Sequence, residues 1–211
     1  WDKGKQVFLD KDTYWDANVE DGSILPSGFA VYYDNTGEST EGQFTKSDPY
    51  WIVEKITFAS GDMYIGLPFE LNGEGTFISS LGERKEGNFY YGLLNGQGSR
   101  TWANGDKYIG EFKDGYMHGQ GTLTLYHGEV KSGEFKYDKL NGFGKQTFID
   151  GSYYVGNWLN GQSHGNGKMH YKGKSERIYE GEWKHDLENG QGTDYLLYDD
   201  AIYTGGFEDG H

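Results

Sequence analysis

Residues 108–121 read Tyr108-Ile109-Gly110-Glu111-Phe112-Lys113-Asp114-Gly115-Tyr116-Met117-His118-Gly119-Gln120-Gly121, and the stretch decides the fold because it recurs. Its first half is a Gly followed two residues later by a large aromatic. The same pair appears as Gly42/Phe44, Gly87/Phe89, Gly110/Phe112, Gly133/Phe135, Gly156/Trp158, Gly181/Trp183 and Gly205/Phe207. Gly66 is a weaker member, with Pro68 in the aromatic slot and Phe69 beside it. Successive spacings are 24, 21, 23, 23, 23, 25 and 24 residues, the scale at which one supersecondary unit repeats along a chain. A degenerate copy precedes them around Tyr14 to Asn18.

The second half is Gly-x-Gly preceded by Asn or His. It reads Asn72-Gly73-Glu74-Gly75, Asn95-Gly96-Gln97-Gly98, His118-Gly119-Gln120-Gly121, Asn141-Gly142-Phe143-Gly144, His164-Gly165-Asn166-Gly167 and Asn189-Gly190-Gln191-Gly192. Asn-Gly is a strong turn dipeptide because both residues tolerate positive φ, so these glycines are expected in turns and the unit reads strand, turn, strand. Period-two alternation puts Tyr108, Gly110 and Phe112 on one face and Ile109 and Glu111 on the other. Tyr154-Val155-Gly156-Asn157-Trp158 and Tyr179-Glu180-Gly181-Glu182-Trp183 repeat this division. The bare glycines leave room for rings to lie flat on backbone. A lone hairpin is marginal in water, whereas stacked hairpins bury one another's aromatic face. The expected fold is all-β: an elongated single-layer array of stacked antiparallel hairpins in an open twisted sheet.

Tyr-x-Gly-Glu-[Phe/Trp] followed by [Asn/His]-Gly-x-Gly at this period resembles the MORN repeat. The resemblance is strong over residues 61–211 and poor over 14–60. Residues 1–60 are therefore expected to be degenerate repeats or a cap, and 61–211 regular repeats, in one continuous domain. Asp48-Pro49-Tyr50-Trp51 stands where a Gly-x-Gly is due, and Pro26-Ser27-Gly28 does so in the first copy.

Composition supports a folded chain. Gly is 35 of 211 with only 3 Pro, neither collagen-like nor low-complexity. Aromatic content of 17% is too high for a disordered polyelectrolyte despite a net charge of −14. There is no Cys and no Asn-x-Ser/Thr sequon, which leans towards a cytoplasmic address. The charge is uneven: −6 over residues 1–50, −3 over 51–98, +1 over 99–145 and −6 over 146–211. Such a chain repels phosphate backbones and anionic headgroups, so nucleic acid is not an expected partner and lipid is disfavoured.

No active site is legible. The Gly-x-Gly elements do not continue to Gly-x-Gly-x-x-Gly between strand and helix, and Gly173-Lys174-Ser175 lacks the first P-loop glycine, Lys168 standing there instead. His118 and His164 alternate with Asn in one slot, a structural pattern and not a metal-ligand spacing. Glu111, Glu134 and Glu182 recur at one repeat position, which reads as a solvated strand face with Lys113, Lys136 and Lys184 as cross-strand partners. No catalytic residue, cofactor or metal is expected. The aromatic stripe is chiefly core, but in an open sheet part of it would line a trough, and Phe112, Phe135, Trp158 and Trp183 are the candidate partner-binding positions.

Three function classes follow. The MORN resemblance implies protein–protein assembly, as in ciliary and flagellar spoke heads and parasite cytoskeletal structures: a scaffold binding a helix or extended peptide along the trough, with acidic rims selecting a basic ligand. The same resemblance implies, as an alternative, a regulatory module of a lysine methyltransferase or phosphoinositide kinase, or a membrane-associated lipid binder. Open sheet edges make a homodimer plausible.

Overall fold

A computed structural model describes residues 5–7, 28–33, 38–45, 48–66 and 72–211. The copy around Tyr14 to Asn18 lies outside the described residues, as do Pro68 and Phe69. The described residues contain seventeen strands and no helix. Among the described residues no helix is therefore long and apolar enough to cross a membrane. The strands form an open antiparallel sheet.

The chain divides into two compact units, Trp1–Asn95 and Gly96–His211. The first contains β1 (Lys5–Val7), β2 (Gly28–Tyr33), β3 (Ser39–Thr45), β4 (Asp48–Thr57), β5 (Met63–Gly66), β6 (Gly73–Ile78), β7 (Arg84–Tyr90) and the start of β8 (Leu93–Thr101). From β1 to β7 each strand pairs with its chain neighbour. The irregular Asp48-Pro49-Tyr50-Trp51 is part of β4, and the β3–β4 register slips twice.

The second unit continues from Gly96 through β9 (Lys107–Lys113), β10 (Tyr116–Thr124), β11 (Val130–Lys136), β12 (Lys139–Thr147), β13 (Tyr153–Leu159), β14 (Gln162–Tyr171), β15 (Arg177–Lys184), β16 (Leu187–Leu196) and β17 (Ala201–Phe207). Again every pairing is between consecutive strands. Odd strands carry Tyr-x-Gly-x-[Phe/Trp] or its variant. Even strands carry Gly-x-Gly.

The turns are not where the Asn-Gly reading puts them. The Lys113↔Tyr116, Lys136↔Lys139, Leu159↔Gln162 and Lys184↔Leu187 pairs enclose two-residue turns. These are Asp114-Gly115, Tyr137-Asp138, Asn160-Gly161 and His185-Asp186, with both central residues at positive φ, the backbone of a type I′ hairpin. The [Asn/His]-Gly dipeptide instead lies inside the returning strand. Between His118 and Gly121 the register against β9 slips, so Gly119, at φ +53, serves a β-bulge. Turn and bulge both demand positive φ, which is why the same dipeptide suits either. The opposite connections up to β15 are five-residue loops, and four residues join β16 to β17: Trp102 N–H donates to Asp106 O at 2.9 Å and Gly105 N–H to Trp102 O at 2.9 Å, and 125–129 and 148–152 repeat the pattern.

Neighbouring hairpins are stitched at both ends. Asp138 N–H donates to Met117 O (3.1 Å) while its carboxylate accepts Met117 N–H (2.8 Å), and Asp186 repeats the clamp on Ser163. At the loop end, Asp62 accepts Ser80 N–H (2.7 Å), Asp106 accepts Tyr126 N–H (2.8 Å) and Ser152 Oγ accepts Lys172 N–H (2.9 Å). Backbone donors of the turns, the loops and the strand ends thus find acceptors in the adjacent repeat.

Candidate interaction surface

The aromatic face is sealed by its own rings. Tyr108 lies over Gly121, where a Cβ would overlap its hydroxyl and Cζ. Its hydroxyl donates to the carbonyls of Glu111 (3.1 Å) and His118 (3.2 Å). Tyr154 and Tyr179 repeat this over Gly167 and Gly192, donating to Asn157 O (3.0 Å) and Glu182 O (2.9 Å). Each tyrosine also meets, edge to face, the aromatic of its own strand and that of the next odd strand. Tyr108 touches Phe112 and Phe135 at centroid distances of 5.0 and 5.2 Å, and Tyr154 touches Trp158 and Trp183 at 5.0 Å each. Such offset pairs contribute beyond their buried area. Burial pushes the Tyr179 phenol up to about 12, with Glu188 adding to it. The Tyr108 and Tyr154 phenols are raised by the same desolvation.

Phe112, Phe135, Trp158 and Trp183 sit in this layer, each at most 6% exposed. Trp183 Nε1 donates to Gly167 O at 3.1 Å, whereas Trp158 Nε1 is buried without a partner. The ring sequence is interrupted in β11, where Lys131 replaces the tyrosine and pairs with Glu129. There an added Cβ on Gly144 would have Leu140 Cδ2 and Ser132 O, both at 3.0 Å, as its nearest neighbours and no tyrosine ring.

The opposite face carries large side chains that the core does not use. Ile109, Tyr116, Tyr137 and Phe143 are all exposed. Phe143 occupies the middle of its Gly-x-Gly, where the other five copies have Glu74, Gln97, Gln120, Asn166 and Gln191, and it is 63% exposed. It borders a shallow depression with Gln120, Ser132, Gly133 and Lys145. Tyr137 stacks edge-on against Tyr116 and His118, at 5.9 and 5.7 Å. His164 sits against His185 at 5.5 Å. The period of the sequence pointed to these strands; Phe143 was legible only as an apolar residue in a polar slot.

The recurring glutamates have a different role from the expected one. Glu111 and Glu182 accept the bulge N–H groups of Gln120 and Gln191, both at 3.0 Å, in place of cross-strand lysines. A bulge leaves a backbone donor off the ladder, and the carboxylate satisfies it.

One cluster escaped sequence reading. Glu188 is 4% exposed, in the slot opposite the odd-strand aromatic that Met117, Leu140 and Ser163 fill elsewhere. Its carboxylate takes the Arg177 guanidinium and the Tyr171 hydroxyl, and Arg177 Nε lies 3.1 Å from Asp194. Burial alone would pull Arg177 down; Glu188 and Asp194 outweigh it and hold the guanidinium above its ordinary value. The signal available in sequence was an acid in an otherwise neutral slot. Among the described residues no three His, Cys, Asp or Glu side chains converge on a metal-sized site.

The model of the MORN repeat family matches residues 86–107, 108–130, 132–153, 154–175 and 179–193. The chain is a MORN-repeat protein. Three of the MORN segments begin at a core tyrosine, Tyr108, Tyr154 or Tyr179. The other two begin at Glu86 and Ser132, just after the lysines, Lys85 and Lys131, that replace it. No curated protein matches the chain. Among solved structures it is similar to the TCP domain of Drosophila melanogaster SAS-4 (dCPAP), in complex with a proline-rich motif of Ana2 (dSTIL). That likeness has 10% identity, a TM-score of 0.45, and covers 92% of this chain and 99% of that one. It is also similar to the TCP10 domain of Danio rerio CPAP in complex with a STIL peptide, at 14% identity and a TM-score of 0.32, over 88% and 98% of the two chains. Likenesses of that size carry no conclusion about binding.

Proposed function

We propose that this MORN protein is a non-catalytic protein–protein interaction scaffold, cytoplasmic and part of a ciliary, flagellar or other cytoskeletal assembly, that takes a helix or extended peptide of its partner against the sheet. The observation that carries the reading is the division between faces. One face is closed by tyrosines, phenylalanines and tryptophans, while the other presents Ile109, Tyr116, Tyr137 and Phe143 to solvent. Apolar surface that contributes nothing to the core and faces water is characteristic of contact sites. In this reading Phe112, Phe135, Trp158 and Trp183 serve recognition by holding the strands that present those side chains. Membership in the MORN family supports assembly as the role.

The test is quantitative affinity purification of the tagged protein from its own cells, beside an Ile109→Ser/Phe143→Ser variant shown to fold by circular dichroism. Partners recovered with the parent and lost with the variant support the proposal. Equal recovery would move recognition off this face, and no partner in either preparation would sink the scaffold itself.

A further inference from the structure

Over β9–β12 the charge of the solvent face is opposite to that of the chain. Residues sharing a face are fixed by the β9–β12 registers, which place Lys107, Lys113, Lys136, Lys139 and Lys145 on the same side as Ile109 and Phe143. Glu111 and Glu134 are the acids of those four strands on that side, and Glu111 is committed to its bulge. All five lysines are exposed. Lys145 rests over the Tyr153 ring at 4.5 Å, and the other four make no ion pair among the described residues. This local excess of positive charge sits in a chain of net charge −14.

Two of these lysines oppose each other directly. Lys136 and Lys139 close the Tyr137-Asp138 turn as cross-strand partners, with Cβ atoms about 5 Å apart; like charges directly opposite one another destabilise a hairpin. The nearest acid in sequence, Asp138, is turned away to bond Met117 N–H. Beside them stand Tyr116, Tyr137 and His118, and further along the same strands lies the depression bordered by Phe143. A ligand that places carboxylates over the lysines and an apolar side chain against Phe143 would relieve the repulsion and cover the exposed ring together.

We infer that the β9–β12 solvent face binds an acidic, extended peptide segment of a partner protein, with at least one apolar residue seated beside Phe143. This deepens the scaffold reading and rests on it. The expectation of a basic ligand came from the net charge of the whole chain, whereas the acids responsible for that charge are concentrated in residues 1–50 and 146–211. Four strands at ~4.8 Å spacing correspond to about four to six residues of extended peptide.

The experiment uses the full chain and a fluorescein-labelled probe long enough to cross all four strands, Glu-Glu-Asp-Glu-Leu-Glu-Asp-Glu, followed by anisotropy. The expected result is binding that weakens with added salt. It should fall at least about tenfold in Lys136→Glu/Lys139→Glu and again in Phe143→Ser, and be unchanged in Lys174→Glu/Lys184→Glu. A probe with lysine at every acidic position should not bind. Failure of the acidic probe to bind, or equal binding by all variants, overturns the proposal. So does binding of phosphatidylserine vesicles through the same lysines when the peptide does not bind, which would assign the face to a membrane. Affinity purification with Lys136→Glu/Lys139→Glu separates the two readings: partners retained by both proteins overturn this face and leave the scaffold standing, while no partners with either remove the scaffold first.

Discussion

Tyr108 is held by three things at once: a glycine beneath its ring, two carbonyls at its hydroxyl, and the Phe112 and Phe135 rings at its edges. Each can be removed separately. Gly121→Ala drives a methyl into the phenol and is expected to cost about 2–4 kcal/mol. Gly144→Ala, in the copy where Lys131 has replaced the tyrosine, meets a movable leucine methyl and the Ser132 carbonyl oxygen, both at 3.0 Å, and no tyrosine ring; it should cost less than Gly121→Ala, about 1–2 kcal/mol. Urea unfolding of the two variants decides the matter; equal losses would mean that the ring is not what the glycine serves. The same burial makes a pH prediction. Tyr179 ionises in the folded chain at about 12, with Tyr108 and Tyr154 also raised, against about 10 when unfolded. Folding favours the neutral phenol, so this contribution is complete below about pH 10 and is lost as pH rises towards the folded value. The urea midpoint should fall only above about pH 10, and native phenolate absorbance should show a late-titrating class. A single step near 10 for every tyrosine would contradict the packing.

Two of the hairpins in this sheet are closed by two-residue turns that need no glycine, because Tyr137-Asp138 and His185-Asp186 accept positive φ at both positions. Asp138 combines that backbone with a carboxylate on Met117 N–H. Asp138→Asn should therefore be mildest, Asp138→Gly intermediate through loss of the hydrogen bond, and Asp138→Ala worst, about 1–3 kcal/mol, since it loses the bond and resists the φ. A different order in thermal melts would refute the clamp. At the Glu188 cluster, Arg177→Leu leaves Glu188 buried without its guanidinium and is expected to cost about 3–5 kcal/mol. Glu188→Leu should cost much less, because Leu140 already fills the equivalent slot, and Asp194 keeps Arg177 partnered. Period and alternation made the strands and their shared faces legible from the aromatic spacing. They did not distinguish turn from bulge at His118-Gly119, because both conformations select the same residues, nor reveal that Glu111 faces a backbone donor, because a bulge changes what lies opposite. The alternation also singled out the aromatic face as the buried one, but how tightly it is closed escapes a one-dimensional pattern: closure arises from contacts such as Tyr108 with Phe135, between repeats.

Across the second unit every strand bonds only to its neighbours in the chain, so stability is expected to be a sum of hairpins and the joints between them. Gly121→Ala should raise amide hydrogen exchange in β9, β10 and β11 while leaving β15 and β16 as protected as before. Uniform loss of protection would mean that the unit melts as one body. The interaction surface follows the same arithmetic of position: one phenylalanine in a polar slot and one lysine pair across a turn give a single stretch of the array a character that its neighbours lack. The pairing order also fixes how the unit responds to force. Pulled from its two ends, it can yield one hairpin at a time from the outside, because no strand is locked by a partner distant in sequence. Each repeat of 23 residues would release about 75–80 Å of extended chain, so a load-bearing assembly built on such an array would lengthen in regular steps, and the Lys131 rung, lacking its tyrosine, is where the resistance to each step should be lowest.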